Sequence, residues 1–424
     1  MEFKTVTIVF LIFLMAKEII EFFLDLKNRS YVMAHRDAVP DKFKDQVSLE
    51  EHQKAADYTV AKIKIGQVFN FINFFVLLAW TLGGGFELLD RWVRGLEMSS
   101  LYTGLIFIFA YGGISLLIGL PQSLYSTFVL EEKFGFNKTT PAIFIKDMIK
   151  GLLLGVIIGA PLMALILWIM PNPGDVMSKA SYWWLWAWSV LTAFQLIMLW
   201  AYPVLIAPLF NKFSPMEEGD VKNKVLALLD RTGFTSNGLF VMDASMRSSH
   251  GNAYFTGFGK NKRIVFFDTL IKTLDAGEVE SVLAHELGHY KRKHVLKGLI
   301  KAMLLSLVGF FILGKVFTWL PFYQGHGVTL PSDYMALLLF SMVSGIYTFF
   351  LTPLNAFVSR KYEFEADQFA SENASASKLI TALVKLYKDN ASTLTPDPTY
   401  SAYYYSHPPA LERVKFLEKL SSNG

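Results

Sequence analysis

The run His285-Glu286-Leu287-Gly288-His289 sets two imidazoles four residues apart with a carboxylate between them. On an α-helix of 3.6 residues per turn, His285 and His289 share one face and can reach a single cation. Glu286 then stands where it can take a proton from a water on that cation, which is the pattern of a zinc-dependent hydrolase. The chain has 8 His. A chance His-Glu-x-x-His is expected in roughly one such sequence in a hundred, so the motif alone leaves a purely structural pair of His open.

A catalytic zinc needs a third protein ligand and an open fourth position. In Ser359-Arg360-Lys361-Tyr362-Glu363-Phe364-Glu365-Ala366-Asp367, Glu363 and Asp367 are four apart and share a helix face. One of these carboxylates can bind the metal while the other orients a ligating imidazole through its second nitrogen. Glu365 falls about 200° around the helix from Glu363, so it is expected to be solvated or ion-paired. The Cys count of 0 excludes thiolate ligands, disulfides and a Cys nucleophile. Among the other His, His294 is expected on the opposite face from His285, exposed or near the lipid headgroups. His250 precedes a hairpin and is a weaker candidate ligand. His35, His52 and His326 fall in loops with no partner pattern.

The elements around the motif can be read from the same local rules. Asp275 and Glu278 have capping-box spacing, and Val279, Val282, Leu283 and Leu287 supply an apolar helix face. Upstream, a helix over Val221–Thr232 leads to a strand over Gly238–Asp243. Two β-rich runs follow, Asn252–Gly257 and Lys262–Asp268, joined as a hairpin by Gly259-Lys260-Asn261. An edge strand beside a metal can hold an extended peptide backbone, with a plain scaffold hairpin as the alternative.

The composition decides where this chemistry sits. Of 424 residues, 53% are hydrophobic and 18% charged, the balance of a mainly α, polytopic membrane protein. Seven apolar stretches can each cross the bilayer: Val6–Leu24, Val68–Leu89, Leu101–Leu120, Ile149–Met170, Trp183–Phe210, Leu299–Leu320 and Tyr334–Val358. The first is the weakest, since Lys17, Glu18 and Glu21 interrupt it; no small-x-small site follows it to mark a cleaved signal peptide. Pro161, Pro203, Pro208 and Pro353 should kink or terminate spans, and Tyr182, Trp183, Trp184, Trp186 and Trp188 suggest an interfacial belt. The resulting segments are 1–210 with five spans, 211–298 with the His pair, 299–358 with two spans, and 359–424 with the acidic cluster.

Basic residues orient the chain. The first loop carries Lys27, Arg29, Arg36, Lys42, Lys44, Lys54, Lys62 and Lys64, and the third carries Lys133, Lys138, Lys146 and Lys150. The alternate loops hold Arg91 and Arg94, then Lys179 alone, then none, so the odd loops face the cytosol. Two spans separate the polar segments 211–298 and 359–424, which therefore share that face and can form one split site. A net charge of +4 does not point to nucleic acid.

Together, His285-Glu286-x-x-His289, Glu363-x-x-x-Asp367, Asn252-Ala253-Tyr254-Phe255 and Ser406-His407-Pro408-Pro409-x-Leu411-Glu412-Arg413 resemble the type I integral-membrane zinc CaaX prenyl endopeptidases, the group of the yeast a-factor-converting enzyme. The resemblance covers essentially the whole chain. It implies a seven-helix barrel around a large water-filled chamber, with a gluzincin-like α/β zinc protease domain, split between the two polar segments, capping it on the cytosolic side. It implies one Zn2+ per chain held by His285, His289 and Glu363, and Glu286 as general base and then proton donor. Asp367 would orient a ligating His, and His407 would stabilise the oxyanion with support from Arg413. Asn252, Ala253 and Tyr254 would meet the substrate backbone. The implied substrates are prenylated or otherwise hydrophobic peptides that lose their last three residues. The implied location is the endoplasmic reticulum membrane in a eukaryote, or the inner membrane of a bacterium. The rivals are a heat-shock, quality-control membrane zinc peptidase of the HtpX type, whose chains are shorter with fewer spans, and a transporter or scaffold that merely keeps the metal site.

Overall fold

A computed structural model describes residues 1–171, 182–256 and 262–422. The expected turn Gly259-Lys260-Asn261 and the loop residue Lys179 lie outside the described residues. Among the described residues, 6 helices are long and apolar enough to cross a membrane: Leu49–Trp80, Ser100–Glu131, Pro141–Ile169, Trp183–Phe210, His294–Val316 and Asp333–Asn373. Phe71, Leu117 and Ile157 on their outer faces are 65%, 65% and 66% exposed. Apolar exposure repeated on this scale is stable against lipid and not against water.

One further helix, Glu2–Ala34, spans 33 residues. Lys17 interrupts its apolar run but is neutralised in place, with Nζ 2.9 Å from Glu18 and 2.7 Å from Glu21. Phe10 and Leu14 of this helix are buried in the core shared by the membrane helices. Gly325 packs on it so closely that a Cβ would lie 2.5 Å from Val6, the small-residue contact by which helices approach in a bilayer.

Several expected spans have different ends. The stretch Val68–Leu89 is two helices: Leu49–Trp80 starts far earlier, and Gly84, at φ 79, turns the chain into Gly85–Arg94. There the buried Asp90 accepts from Arg94 at 2.7 Å and from the Tyr334 hydroxyl at 2.6 Å. Pro203 and Pro208 do not end the fifth span: a π-helical turn over Tyr202–Ile206 absorbs the first, and the second sits in the first turn of Ala207–Phe210. Pro353 sits in the first turn of Thr352–Asn373, where a missing N–H is tolerated. The last span therefore continues as one 41-residue rod, Asp333–Asn373, past its expected end at Val358. The aromatic cluster is divided. Tyr182 and Trp186 are exposed, Trp183 packs on Phe317, and Trp188 donates to the Met303 carbonyl at 3.1 Å.

The polar segments build an α/β body. Its four strands are β1 (Phe213–Pro215), β2 (Leu239–Met242), β3 (Ala253–Thr256) and β4 (Arg263–Phe267), in the order β1-β2-β4-β3. β3 and β4 are antiparallel, with Ala253 opposite Phe266, while β2 and β4 run parallel. Ile264, Val265 and Phe266 are buried, as a central strand covered on both faces requires. β3 is an edge strand of the described sheet. Helix Ala276–Lys291 packs beneath, started by a capping box in which Asp275 accepts from the Glu278 N–H and Glu278 accepts from the Asp275 N–H. Its Val279, Leu283 and Leu287 join Phe266, Ala370, Leu383 and Leu417 in one core. The two polar segments, separated in sequence by two spans, thus fold as a single hydrophobic unit.

Candidate metal centre

The His pair and the acidic cluster meet because two helices cross at a glycine. A Cβ on Gly288 would lie 2.8 Å from the Ala366 Cα, so only Gly lets helix Ala276–Lys291 press this closely on the rod Asp333–Asn373. Facing side chains at that crossing are His285, His289, Glu363 and Asp367. Nε2 of His285 lies 3.3 Å from Nε2 of His289. Oε2 of Glu363 is 3.4 Å from the first ring, and its Oε1 is 3.2 Å from the second. Ligand atoms of these three residues all fall within 4.8 Å of one another.

This donor set fits a zinc ion. Two imidazole nitrogens and a carboxylate are the ligands such a site takes when thiolates are absent. Glu363 Oε2 is buried and accepts no hydrogen bond, although nearly all buried acceptors in proteins are satisfied. Burial and the Arg413 charge both oppose a proton on His285, yet the Asp367 and Glu363 carboxylates outweigh them and raise the imidazole to about 9. The cluster therefore favours positive charge, which a divalent cation supplies.

Around it lies a second layer of contacts. Nδ1 of His285 is 2.8 Å from Oδ1 of the fully buried Asp367. Arg413, also buried, grips Asp367 in a fork: Nε donates to Oδ2 at 2.9 Å and Nη2 to Oδ1. A guanidinium and a carboxylate are each costly to bury alone, so each makes the other tenable. Glu286, next after His285 on the same helix, is half-buried. His407 is 62% exposed at its side chain and brings Nε2 to 3.5 Å from Glu363 Oε1. Arg360 fixes the chain leading to it, with Nη1 donating to the carbonyls of Ser401, Ala402 and Tyr405 at 3.1, 3.1 and 2.9 Å. These carbonyls lie in or just past the helix Pro398–Tyr404, where a cation offsets the negative helix end.

A cavity of about 820 Å³ opens beside the cage, walled by Asn28, Thr59, Lys62 and Asn70 on the first two long helices and by Asn252, Tyr405, His407 and Arg413 on the α/β body. Asn252 precedes edge strand β3, and its Oδ1 accepts from the Ala253 N–H at 2.8 Å. Ala253 faces the core. Tyr254 does not line the cavity; its ring turns to the other sheet face, edge-on to Phe267 and 4.0 Å from the Met242 sulfur.

Two His depart from their sequence reading, His294 and His52. His294 is neither exposed nor on a far face: it is buried, with Nδ1 3.1 Å from Nδ1 of His289 and Nε2 3.0 Å from Glu365. The helix does not run straight on; Lys293, at φ 58, breaks it and starts a new one at His294. His250 lies away from the cage, stacked on Phe136 and 3.0 Å from Asn390 Oδ1. His52 is buried on helix Leu49–Trp80 and bonds the His35 carbonyl, and His326 is buried edge-on to Phe10. Glu365 is neither freely solvated nor ion-paired: it is hydrogen-bonded, its Oε2 lying 3.0 Å from Nε2 of His294. Arg360 carried no role of its own in the sequence reading, although its place three residues before Glu363 in one helix was a usable signal.

Residues 28–212 match the family described as CAAX prenyl protease N-terminal, five membrane helices, and residues 215–421 match peptidase family M48. The chain is 36% identical to the rice CAAX prenyl protease 1 homolog over 97% of each chain. It is 35% identical to the Saccharomyces cerevisiae CAAX prenyl protease 1, over 93% of this chain and 92% of the yeast one. The crystal structure of S. mikatae Ste24p superposes with a TM-score of 0.88 at 32% identity, covering 97% of this chain and 98% of that one. Full-length similarity, a membrane-embedded body and a His-His-Glu cage assembled from two distant segments lead to one assignment: the chain belongs to peptidase family M48 and is an integral-membrane zinc metalloendopeptidase of the CAAX prenyl protease type.

Proposed function

We propose that this enzyme hydrolyses the CaaX bond of prenylated proteins and releases the last three residues, at a zinc site held by His285, His289 and Glu363. The observation that carries the reading is the convergence of those three side chains beside a cavity of about 820 Å³. When bound, zinc supplies a Lewis acid that polarises the scissile carbonyl and makes water a stronger acid. Glu286 takes the proton of the attacking water and hands it to the leaving amine nitrogen. Asp367 fixes the His285 ring through Nδ1, so that Nε2 keeps its lone pair for the metal. Arg413 holds Asp367 and balances its charge. His407 donates to the carbonyl oxygen as negative charge grows there. Asn252, Ala253 and Tyr254 align the substrate backbone along the free edge of β3, Tyr254 through its main chain only.

The same reading covers the architecture. Helix Glu2–Ala34 is the seventh span, its internal ion pairs lowering the cost of Lys17 in lipid. The four segments 1–210, 211–298, 299–358 and 359–424 divide into membrane barrel and cytosolic catalytic halves, on the membrane of the endoplasmic reticulum in a eukaryote. The relatives named CAAX prenyl protease 1 come from plants, yeast, animals and Dictyostelium, which favours prenylated substrates.

Incubating detergent-purified protein with a farnesylated CaaX peptide and its unprenylated twin tests this, with mass spectrometry of the products. Loss of three residues from the farnesylated peptide is expected. Equal cleavage of both peptides would remove prenyl recognition from the account while leaving the peptidase.

A further inference from the structure

His285 and His289 do not receive the same support. His285 turns its Nδ1 directly to the Asp367 carboxylate at 2.8 Å. His289 has no carboxylate at its Nδ1; that atom faces Nδ1 of His294 at 3.1 Å, and Nε2 of His294 faces Oε2 of Glu365 at 3.0 Å. His294 is 5% exposed and stacks flat on Tyr362, with ring centroids 4.1 Å apart and planes 8° apart. A buried imidazole stacked on one side and bonded at both nitrogens has a single orientation.

Proton counting gives this chain a direction. Nε2 of His289 points into the cage, toward His285 Nε2 and Glu363 Oε1, so as a metal ligand it must present a lone pair there. Its proton then sits on Nδ1. Two facing Nδ1 atoms can bond only if one donates and the other accepts. His294 Nδ1 therefore accepts, its own proton lies on Nε2, and that N–H donates to the Glu365 carboxylate. No other neutral assignment satisfies all four nitrogens of the two rings.

We infer that His294 and Glu365 are positioning residues for the metal: an imidazole-carboxylate relay that fixes the tautomer and ring plane of His289, as Asp367 does for His285. The inference rests on His289 being a zinc ligand. It makes the rod Asp333–Asn373 the source of the third ligand and of both orienting carboxylates, since Glu363, Glu365 and Asp367 all stand on it. Such outer partners typically carry a 10- to 100-fold share of metal affinity.

The test is the zinc dissociation constant of the full-length, detergent-purified chain by competition with a chromophoric chelator, alongside the thermal midpoint of the zinc-free protein. His294→Phe keeps a flat ring on Tyr362 and removes the acceptor; zinc affinity is expected to fall roughly 10- to 100-fold. His294→Asn puts Oδ1 where Nδ1 stood and is expected to recover most of that loss. Glu365→Gln, which still accepts from Nε2, should stay near wild type, whereas Glu365→Leu should not. Unchanged affinity in His294→Phe, with wild type binding zinc, would overturn the relay alone. So would equal losses in the Phe and Asn variants that track a lowered zinc-free midpoint, because they would mark a packing role. Failure of the wild type to bind zinc would overturn the metal site and the relay with it.

Discussion

At the scale of single residues, the cage works because each charged group has a partner that it cannot lose cheaply. Glu363 contributes one oxygen toward each imidazole and leaves Oε2 without a hydrogen bond. Removing it takes away a proposed ligand and leaves two imidazoles facing each other across 3.3 Å. Glu363→Ala and His289→Ala are each expected to lose zinc from the purified protein, measured as metal per chain. Stoichiometric zinc in Glu363→Ala would strike that residue from the ligand set. The four-residue spacings of His285 with His289 and of Glu363 with Asp367 were legible in the sequence, because helical periodicity alone puts each pair on one face. His294 was not. A straight helix carries it away from His289, and nothing local announces that Lys293 takes a left-handed conformation at φ 58. Strand alternation sends successive side chains to opposite faces, so the Tyr254 ring turns away from the face of Ala253 and leaves only its main chain for the proposed substrate contact.

At the scale of elements, two contacts set the geometry. The first is the crossing at Gly288. A methyl there would meet the Ala366 main chain at 2.8 Å, and main chain cannot move aside as a flexible side chain can. Gly288→Ala is expected to cost about 1–3 kcal/mol through overpacking and to weaken zinc retention as the helices part; thermal unfolding and metal content check both. Unchanged values would mean that the crossing is looser than it stands. The second is Arg360, whose guanidinium gathers three carbonyls ahead of His407. Arg360→Ala should lower kcat several-fold while zinc content stays at wild-type level, since it touches no metal ligand; zinc loss would contradict that division of labour. Element types and the positions of all three longer strands were readable from periodicity and turn residues. Helix ends in the membrane were not, because prolines that terminate a helix in general are harmless in a first turn or a π-helical turn.

At the scale of the molecule, the metal site is built from segments that lie on either side of two membrane spans, and one core containing Leu283, Ala370 and Leu417 joins them. The α/β body is also tied to the first helices: the Asp397 N–H donates to Asn28 Oδ1 at 2.9 Å, and Lys388 pairs with Glu51 at 2.7 Å. Parity of spans and the placement of Lys and Arg were enough to infer this shared face, whereas the cavity between helices and body has no signature in a linear sequence. With 0 native Cys, single-Cys reporters give a clean topology test. In sealed vesicles with the cytosolic face of the membrane outward, an impermeant maleimide should label Lys44→Cys and Lys361→Cys. Glu97→Cys and Leu330→Cys should react only after the membrane is permeabilised. The reverse pattern would invert the proposed orientation. The match to Ste24p over 98% of that chain also separates this protein from shorter quality-control peptidases.

The most direct test of the central claim measures zinc content and peptide turnover together in wild type and Glu286→Gln. Glu286 is the proposed base and not a ligand, so both proteins should hold one zinc per chain while only wild type cleaves a farnesylated CaaX peptide. The loss in turnover should fall in the range of about 10²–10⁴-fold or more, as removal of a general base gives. Undiminished cleavage by Glu286→Gln, or cleavage by wild type stripped of metal, would contradict the account.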